Sequence, residues 1–168
     1  GQKVTSEDTI ICLQEISTLA TAEKIVHTLS SSTGKTWKAK TRKTGTERFY
    51  NTLLWVQGSY TVQESFSHDA NALDETQRDR YQLYHFSNSS QDFSLMNVHL
   101  KWFGTSGSYP TTLSSALNQL SSQTSLVITG DFNLDLRKLT LNTRLVQVSP
   151  DGSMVSDKSS QGFHCATN

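Results

Sequence analysis

Leu126-Val127-Ile128-Thr129-Gly130-Asp131-Phe132-Asn133 joins an apolar, β-branched run directly to a Gly-Asp-Phe-Asn close. A short apolar run ended by glycine predicts a buried strand running into a loop. Side chains two apart on an extended chain share a face, so Asp131 and Asn133 are expected to point together at the strand's end. The first is a carboxylate, able to bind a cation or take a proton. The second is an amide, able to donate to a phosphate oxygen. Gly, Asp and Asn also favour turns, and the four closing residues read in isolation would be one.

Two other segments weigh against a turn alone. Thr9-Ile10-Ile11-Cys12-Leu13-Gln14-Glu15 is a second apolar run that ends in a carboxylate. Phe93-Ser94-Leu95-Met96-Asn97-Val98-His99-Leu100 is a third, with Asn97 and His99 on one face. Three predicted strands thus carry polar groups near their C-terminal ends, the edge where ligand sites gather in open α/β sheets.

In this order, Leu13-Gln14-Glu15, Asn97-Val98-His99-Leu100 and Gly130-Asp131-Phe132-Asn133 resemble the endonuclease/exonuclease/phosphatase (deoxyribonuclease I-like) superfamily, over a stretch from Asp8 to Asn133. The resemblance implies an α/β fold, a four-layered α-β-β-α sandwich of two mixed, mostly antiparallel sheets, here with terminal strands missing. It implies a single domain over residues 1–168 and a divalent-metal-dependent phosphoesterase, with DNA endonuclease the leading version. Glu15 would then be the ligand of Mg²⁺ (or Mn²⁺), a hard cation that takes oxygen donors. Asp131 would orient or deprotonate the attacking water. Asn133 would donate to a non-bridging phosphate oxygen and help place Asp131. His99 would contact phosphate or transfer a proton, which suits a group that titrates near neutrality. Asn97 and Arg80 would bind substrate, Asn97 in a supporting role and Arg80 through phosphate. The plainer readings are a solvated Glu15, a satisfied core His99 and a surface Arg80.

Length and charge bound these expectations. A chain of 168 residues suits one domain with a real core and is short for the superfamily. Fifteen basic and fifteen acidic residues balance, so no global basic surface advertises nucleic acid. Lys35, Lys38, Lys40, Arg42, Lys43 and Arg48 form a local basic stretch, read as a solvated hairpin or a phosphate-binding arm. Cys12 reads as a buried thiol and Cys165 as part of a C-terminal tail, with no disulfide framework. No signal peptide and no apolar run of transmembrane length is visible, and the start at Gly1 reads as a processed or excised segment.

Leu19, Ala22, Val26 and Leu29 predict a helix over Thr18 to Ser32 with Ser17 or Thr18 as cap. Strands are expected at Thr36 to Thr41, Phe49 to Gln57, Tyr60 to Glu64 and Tyr81 to Phe86, with Gly58-Ser59 as a hairpin turn. Ser67 to Asp79 reads as a loop with some helix. A second helix is expected over Thr111 to Ser122, with Leu113, Leu117 and Leu120 facing inward.

Trp102, Phe103 and Tyr109 follow His99 in a Gly/Ser-rich loop, where they could stack on a base, dip into lipid or pack beneath the loop. They motivate the alternative of a phospholipid or phosphoinositide phosphoesterase. The superfamily's earlier asparagine strand has no counterpart in Gly1 to Glu7, and its Ile-Asp-Tyr-like strand and Ser-Asp-His close are missing. Ser156-Asp157 is followed by Lys158 and reads as a chance match, and His164 is no convincing substitute. The chain is therefore either a stretch lacking both ends of an enzyme, or a pared-down binding module that keeps the fold without catalysis. Unpaired backbone at the missing first strand favours missing sequence, or another chain or segment that completes the sheet.

Overall fold

The first apolar run, β1 (Ile10–Ile16), is covered on both faces, and this decides the layering. Ile11 and Leu13 pack with Ile25, Val26 and Leu29 of helix α1 (Leu19–Thr33), against Trp37, Leu54 and Val56. Ile10 and Cys12 point the other way, into a cluster with Leu53, Trp55, Phe86 and Leu95. The computed structural model describes residues 8–44, 48–64, 80–101, 109–121, 125–133, 139–141, 146–148 and 163–167.

Strands β2 (Trp37–Lys43) and β3 (Tyr50–Val56) complete the first sheet, three-stranded and antiparallel in the order β1-β3-β2. The second sheet has six strands in the order β4-β5-β6-β7-β9-β8: β4 (Thr61–Glu64), β5 (Tyr81–Ser87), β6 (Asp92–His99), β7 (Leu126–Asp131), β8 (Val146–Val148) and β9 (Phe163–Thr167). Its strands pair antiparallel except β6 with β7, which are parallel and joined through helix α2 (Tyr109–Ser121). On α2 the buried Leu113, Ala116 and Leu117 recur at helical spacing. They meet Val98, Leu100, Leu126, Ile128 and Phe132 on the outer face of this sheet. The result is the expected four layers, α1, sheet, sheet, α2. Each fully buried Leu, Ile or Phe in them contributes roughly 1.5–3 kcal/mol.

Local sequence sets the helix ends. The Thr18 side chain accepts the Thr21 N–H at 3.0 Å, as an N-cap should, and Gly34 closes α1 in the left-handed region, its N–H donating to Ser30 O at 3.0 Å.

Two expectations are corrected and a third is decided. Gly58-Ser59 does not close a hairpin, because β3 and β4 belong to different sheets; the turn carries the chain from one layer to the next. Hydrophobic alternation alone cannot distinguish the two, since both strands bury one face in the same inter-sheet cluster. Cys165 is not in a tail but in β9, whose backbone pairs Cys165 with Thr129 and Val148. The basic stretch is the hairpin of its two readings: Lys38, Lys40, Arg42 and Lys43 lie on β2, which pairs antiparallel with the next strand, β3, and is an edge strand, where lysines discourage pairing with another chain. The expectations for Gly1 to Glu7, Ser67 to Asp79, Trp102, Phe103, Ser156-Asp157 and the side chains of Tyr109, Leu120 and His164 fall outside the described residues. Among the described residues no helix is long and apolar enough to cross a membrane.

Candidate active site

The parallel pairing of β6 with β7 puts His99 opposite Asp131 at the strands' shared C-terminal ends. This register depends on Gly130. Its φ is 128°, and a Cβ there would stand 2.0 Å from Val98 O. Only glycine lets the two backbones approach this closely. Just beyond β6 the ladder continues for one more bond, Leu100 N–H to Asp131 O at 2.8 Å.

Asp131 is held from its own loop. Asn133 N–H donates to Asp131 Oδ1 at 2.8 Å, and Asn133 Nδ2 donates to Leu100 O at 2.8 Å. The loop therefore ties the two strand ends together. It requires Asn133 to sit at φ 47°, the left-handed region that asparagine tolerates better than most residues. An amide NH₂ carries two hydrogens and the Leu100 carbonyl takes one. Asn133's immediate task is thus to position Asp131. Phe132, between them, is buried in the α2 cluster and anchors the loop.

Glu15 reaches the site from the other sheet, not from a strand beside β7. Strict alternation would send it the way of Leu13, toward α1. The β1–β3 register shifts between Leu13 and Ile16, and Glu15 has φ 58°. A bulge of this kind re-aims a side chain. Here it allows consecutive residues to face the second sheet: Gln14 Nε2 donates to Asn97 Oδ1 at 2.6 Å, and Glu15 Oε1 stands 3.6 Å from His99 Nε2. The Glu15 side chain is 62% exposed against 6% for His99, so the Glu15 side of the cleft is the open one. His99 Nδ1 is buried with no hydrogen-bond partner among the described residues.

Asn97 departs from the expectation that it binds substrate and supports the site from within. Asn97 is 0% exposed and enclosed between the sheets, so it cannot touch a substrate; its amide is consumed by protein partners on both layers. Arg80 is a buried residue whose carbonyl accepts the His99 N–H at 2.8 Å and the Asn51 side chain at 3.4 Å. Sequence reading missed Gln14, Asn51 and Gln82, which share this buried layer. The available signal was an amide inside an apolar strand, as in Tyr81-Gln82-Leu83, since buried polar groups are nearly always hydrogen-bonded.

Among the described residues no three His, Cys, Asp or Glu side chains form a ready metal cage. The donor set nevertheless fits Mg²⁺, which is commonly bound through one or two carboxylates with water and substrate phosphate completing its shell. The exposed carboxylate of Glu15, re-aimed into the cleft, is the oxygen donor that could hold the ion.

No protein-family model matches the chain, and no curated protein matches it significantly. Solved structures do share its fold. A truncated TDP2 from Caenorhabditis elegans aligns with 94% of this chain and 70% of its own length, at a TM-score of 0.60 and 16% identity. The human Nocturnin catalytic domain with bound sulfate aligns with 94% of this chain and 68% of its own, at 0.57 and 14% identity. An endonuclease/exonuclease/phosphatase family protein from Leptotrichia buccalis aligns with 95% and 75%, at 0.54 and 12% identity. Of a longer C. elegans TDP2 the chain spans 54%.

Proposed function

We infer that this chain, which has the fold of the endonuclease/exonuclease/phosphatase superfamily, is a phosphoesterase that hydrolyses phosphodiester bonds with the help of a divalent cation, DNA being its substrate. The observation that carries the reading is the bulge that turns Glu15 out of its strand's alternation and brings it to His99, at the strand end where His99 faces Asp131. A left-handed glutamate costs on the order of 1–3 kcal/mol and persists where surrounding structure enforces it. Packing alone gives no reason for that cost.

Each residue then has a task. Asp131, with Oδ1 occupied by the Asn133 N–H, offers its other oxygen to orient the attacking water and take its proton. His99 contributes Nε2 at the cleft wall, as a phosphate contact or a proton carrier. Asn133 keeps Asp131 aimed and offers an amide hydrogen beside it. Glu15 holds Mg²⁺ or Mn²⁺, which supplies charge stabilisation to the phosphoryl oxygens when bound. Arg80, whose carbonyl accepts the His99 N–H, would bring a guanidinium to the substrate phosphate.

An open cleft supports a polymeric substrate over a small one, since small-molecule sites usually enclose most of the ligand. A cation on the same rim supports a polyanion: Lys43 pairs with Tyr50, which pairs with Ile16 next to Glu15. The test is Mg²⁺-dependent nicking of supercoiled plasmid by the parent and by Asp131→Ala. The variant is expected to lose about 10²–10⁴-fold in rate, the contribution of a positioned base. Equal cleavage by both would remove Asp131 from the mechanism. Phosphocholine or phosphate release from lipid vesicles without nicking would replace DNA by a phospholipid.

A further inference from the structure

We propose that Gln82, which touches neither substrate nor cation, is a positioning residue that sets Glu15 against His99 through a polarised chain of buried amides. The proposal rests on the phosphoesterase reading for its kinetic consequence, but its geometry stands independently.

The chain is directional. Lys40 O can only accept, and it takes the Gln82 Nε2 hydrogen at 3.0 Å. This leaves Gln82 Oε1 turned toward Asn97, whose Nδ2 donates to it at 3.1 Å. Asn97 Oδ1 is thereby turned toward β1, where it accepts from Gln14 Nε2 at 2.6 Å. One backbone carbonyl thus dictates the orientation of three consecutive amides, and the last belongs to the residue before Glu15. Asn97 Nδ2 also contacts Leu13 O at 3.2 Å and Thr52 O at 3.4 Å, so the chain grips the backbone at the start of the bulge. Its members at the centre, Gln82 and Asn97, are both 0% exposed.

Stability alone does not account for such a layer. Apolar residues of the same shape would fill the space without the cost of burying amides. Nearby, Asn51 Oδ1 and Thr52 Oγ1 are buried with no hydrogen-bond partner among the described residues, so the layer is not optimised for satisfaction. What it does specify is position. It joins β2 and β1 of one sheet to β5 and β6 of the other, and its two ends bracket the site: Gln14 precedes Glu15, and Asn97 lies two residues before His99 on the same face.

The test uses the full chain with Gln82→Met, which keeps the volume and removes the polarity, and Gln14→Met, alone and combined. Phe93→Leu, at the other end of β6, serves as a control for general loosening. In the parent, NMR is expected to show a slowly exchanging Gln14 side-chain amide and a nuclear Overhauser contact between Glu15 and the His99 ring; in Gln82→Met both should weaken, and in Phe93→Leu both should persist. Mn²⁺ affinity, read by electron paramagnetic resonance, and kcat for plasmid nicking should fall about 10–100-fold in Gln82→Met, the effect typical of removing an outer partner of a metal ligand. KM should be unchanged. The Gln14→Met and Gln82→Met losses in kcat should not add, because both break one chain. An unaltered Gln14 amide and Glu15–His99 contact in Gln82→Met overturns the proposal, whether or not the protein cleaves DNA. So does a fully additive kcat loss. Absence of nicking by the parent, with the NMR changes present, overturns the phosphoesterase reading and leaves the positioning role intact.

Discussion

Replacing Gly130 with alanine tests the close approach of β6 and β7. The new Cβ would lie 2.0 Å from Val98 O, 2.8 Å from Val98 N and 2.9 Å from Val98 C. Carbon makes favourable contacts at about 3.5–4.0 Å, and all three neighbours are backbone, so no side chain can swing aside. Strand β7 must draw away from β6, or φ must leave 128°. The backbone strain is worth about 1–3 kcal/mol and the overpacking about 1–3 kcal/mol. A domain's whole stability is about 5–15 kcal/mol, so the variant should lose a large share of it. With a urea m-value of about 2 kcal/mol per molar, the unfolding midpoint should fall by about 1–3 M. Equilibrium unfolding in urea, followed by circular dichroism and tryptophan fluorescence, measures this directly. A midpoint within about 0.3 M of the parent would show that β6 and β7 do not approach as described, and the His99–Asp131 register would fall with it.

Asn133 should tolerate glycine better than alanine, because a left-handed φ costs alanine about 1–2 kcal/mol; thermal unfolding of the two variants should rank them that way, and equal melting would argue against φ 47°. Thr18→Ala removes the acceptor for Thr21 N–H and should cost about 1 kcal/mol, read as a lower urea midpoint with an unchanged slope. Burial, and then Glu64, raise the pKa of Tyr84 above 10.0, with Arg42 opposing, and burial, and then Asp8, raise that of Tyr60. The fold therefore favours the neutral phenols. Their contribution is complete below pH 10.0 and is lost as pH rises beyond it, because the unfolded chain ionises first. Unfolding midpoints across the alkaline range should show this decline, and Tyr84→Phe should flatten it.

The layers were legible because the apolar runs carry them. Ile10 to Leu13, Leu95 to Leu100 and Leu126 to Ile128 are short, bounded and strand-like, and α1 announces itself through Thr18 and its apolar spacing. The polar groups at the strand ends were legible for the same reason, since Asp131 and His99 follow their strands' alternation into one register. Glu15 was legible through the resemblance and not through alternation, because its direction comes from a bulge whose left-handed residue is held by tertiary contacts rather than by any local preference of glutamate. The sheet change at Gly58-Ser59 was hidden because one inter-sheet core accepts Leu53 and Val62 alike. Phe163 to Thr167 has too few apolar residues to declare a strand, and it is paired only because β7 and β8 present their edges to it. Of the buried amides only Asn97 was legible, as support, since chemistry that is costly alone becomes cheap only when partners distant in sequence arrive together.

That distance bears on how the molecule comes to be active. Gln14 and Asn97 are 83 residues apart, yet their hydrogen bond joins the two halves of the site. Hairpin contacts such as β5 with β6 close over short loops, while the β1 face can meet β6 only after most of the chain is in place. Closing long loops is entropically uphill until the late contacts reward it, which slows folding. The cleft is therefore among the last features to form during folding. Intermediates with both sheets paired but not yet docked would have full secondary structure, exposed apolar faces and no working constellation.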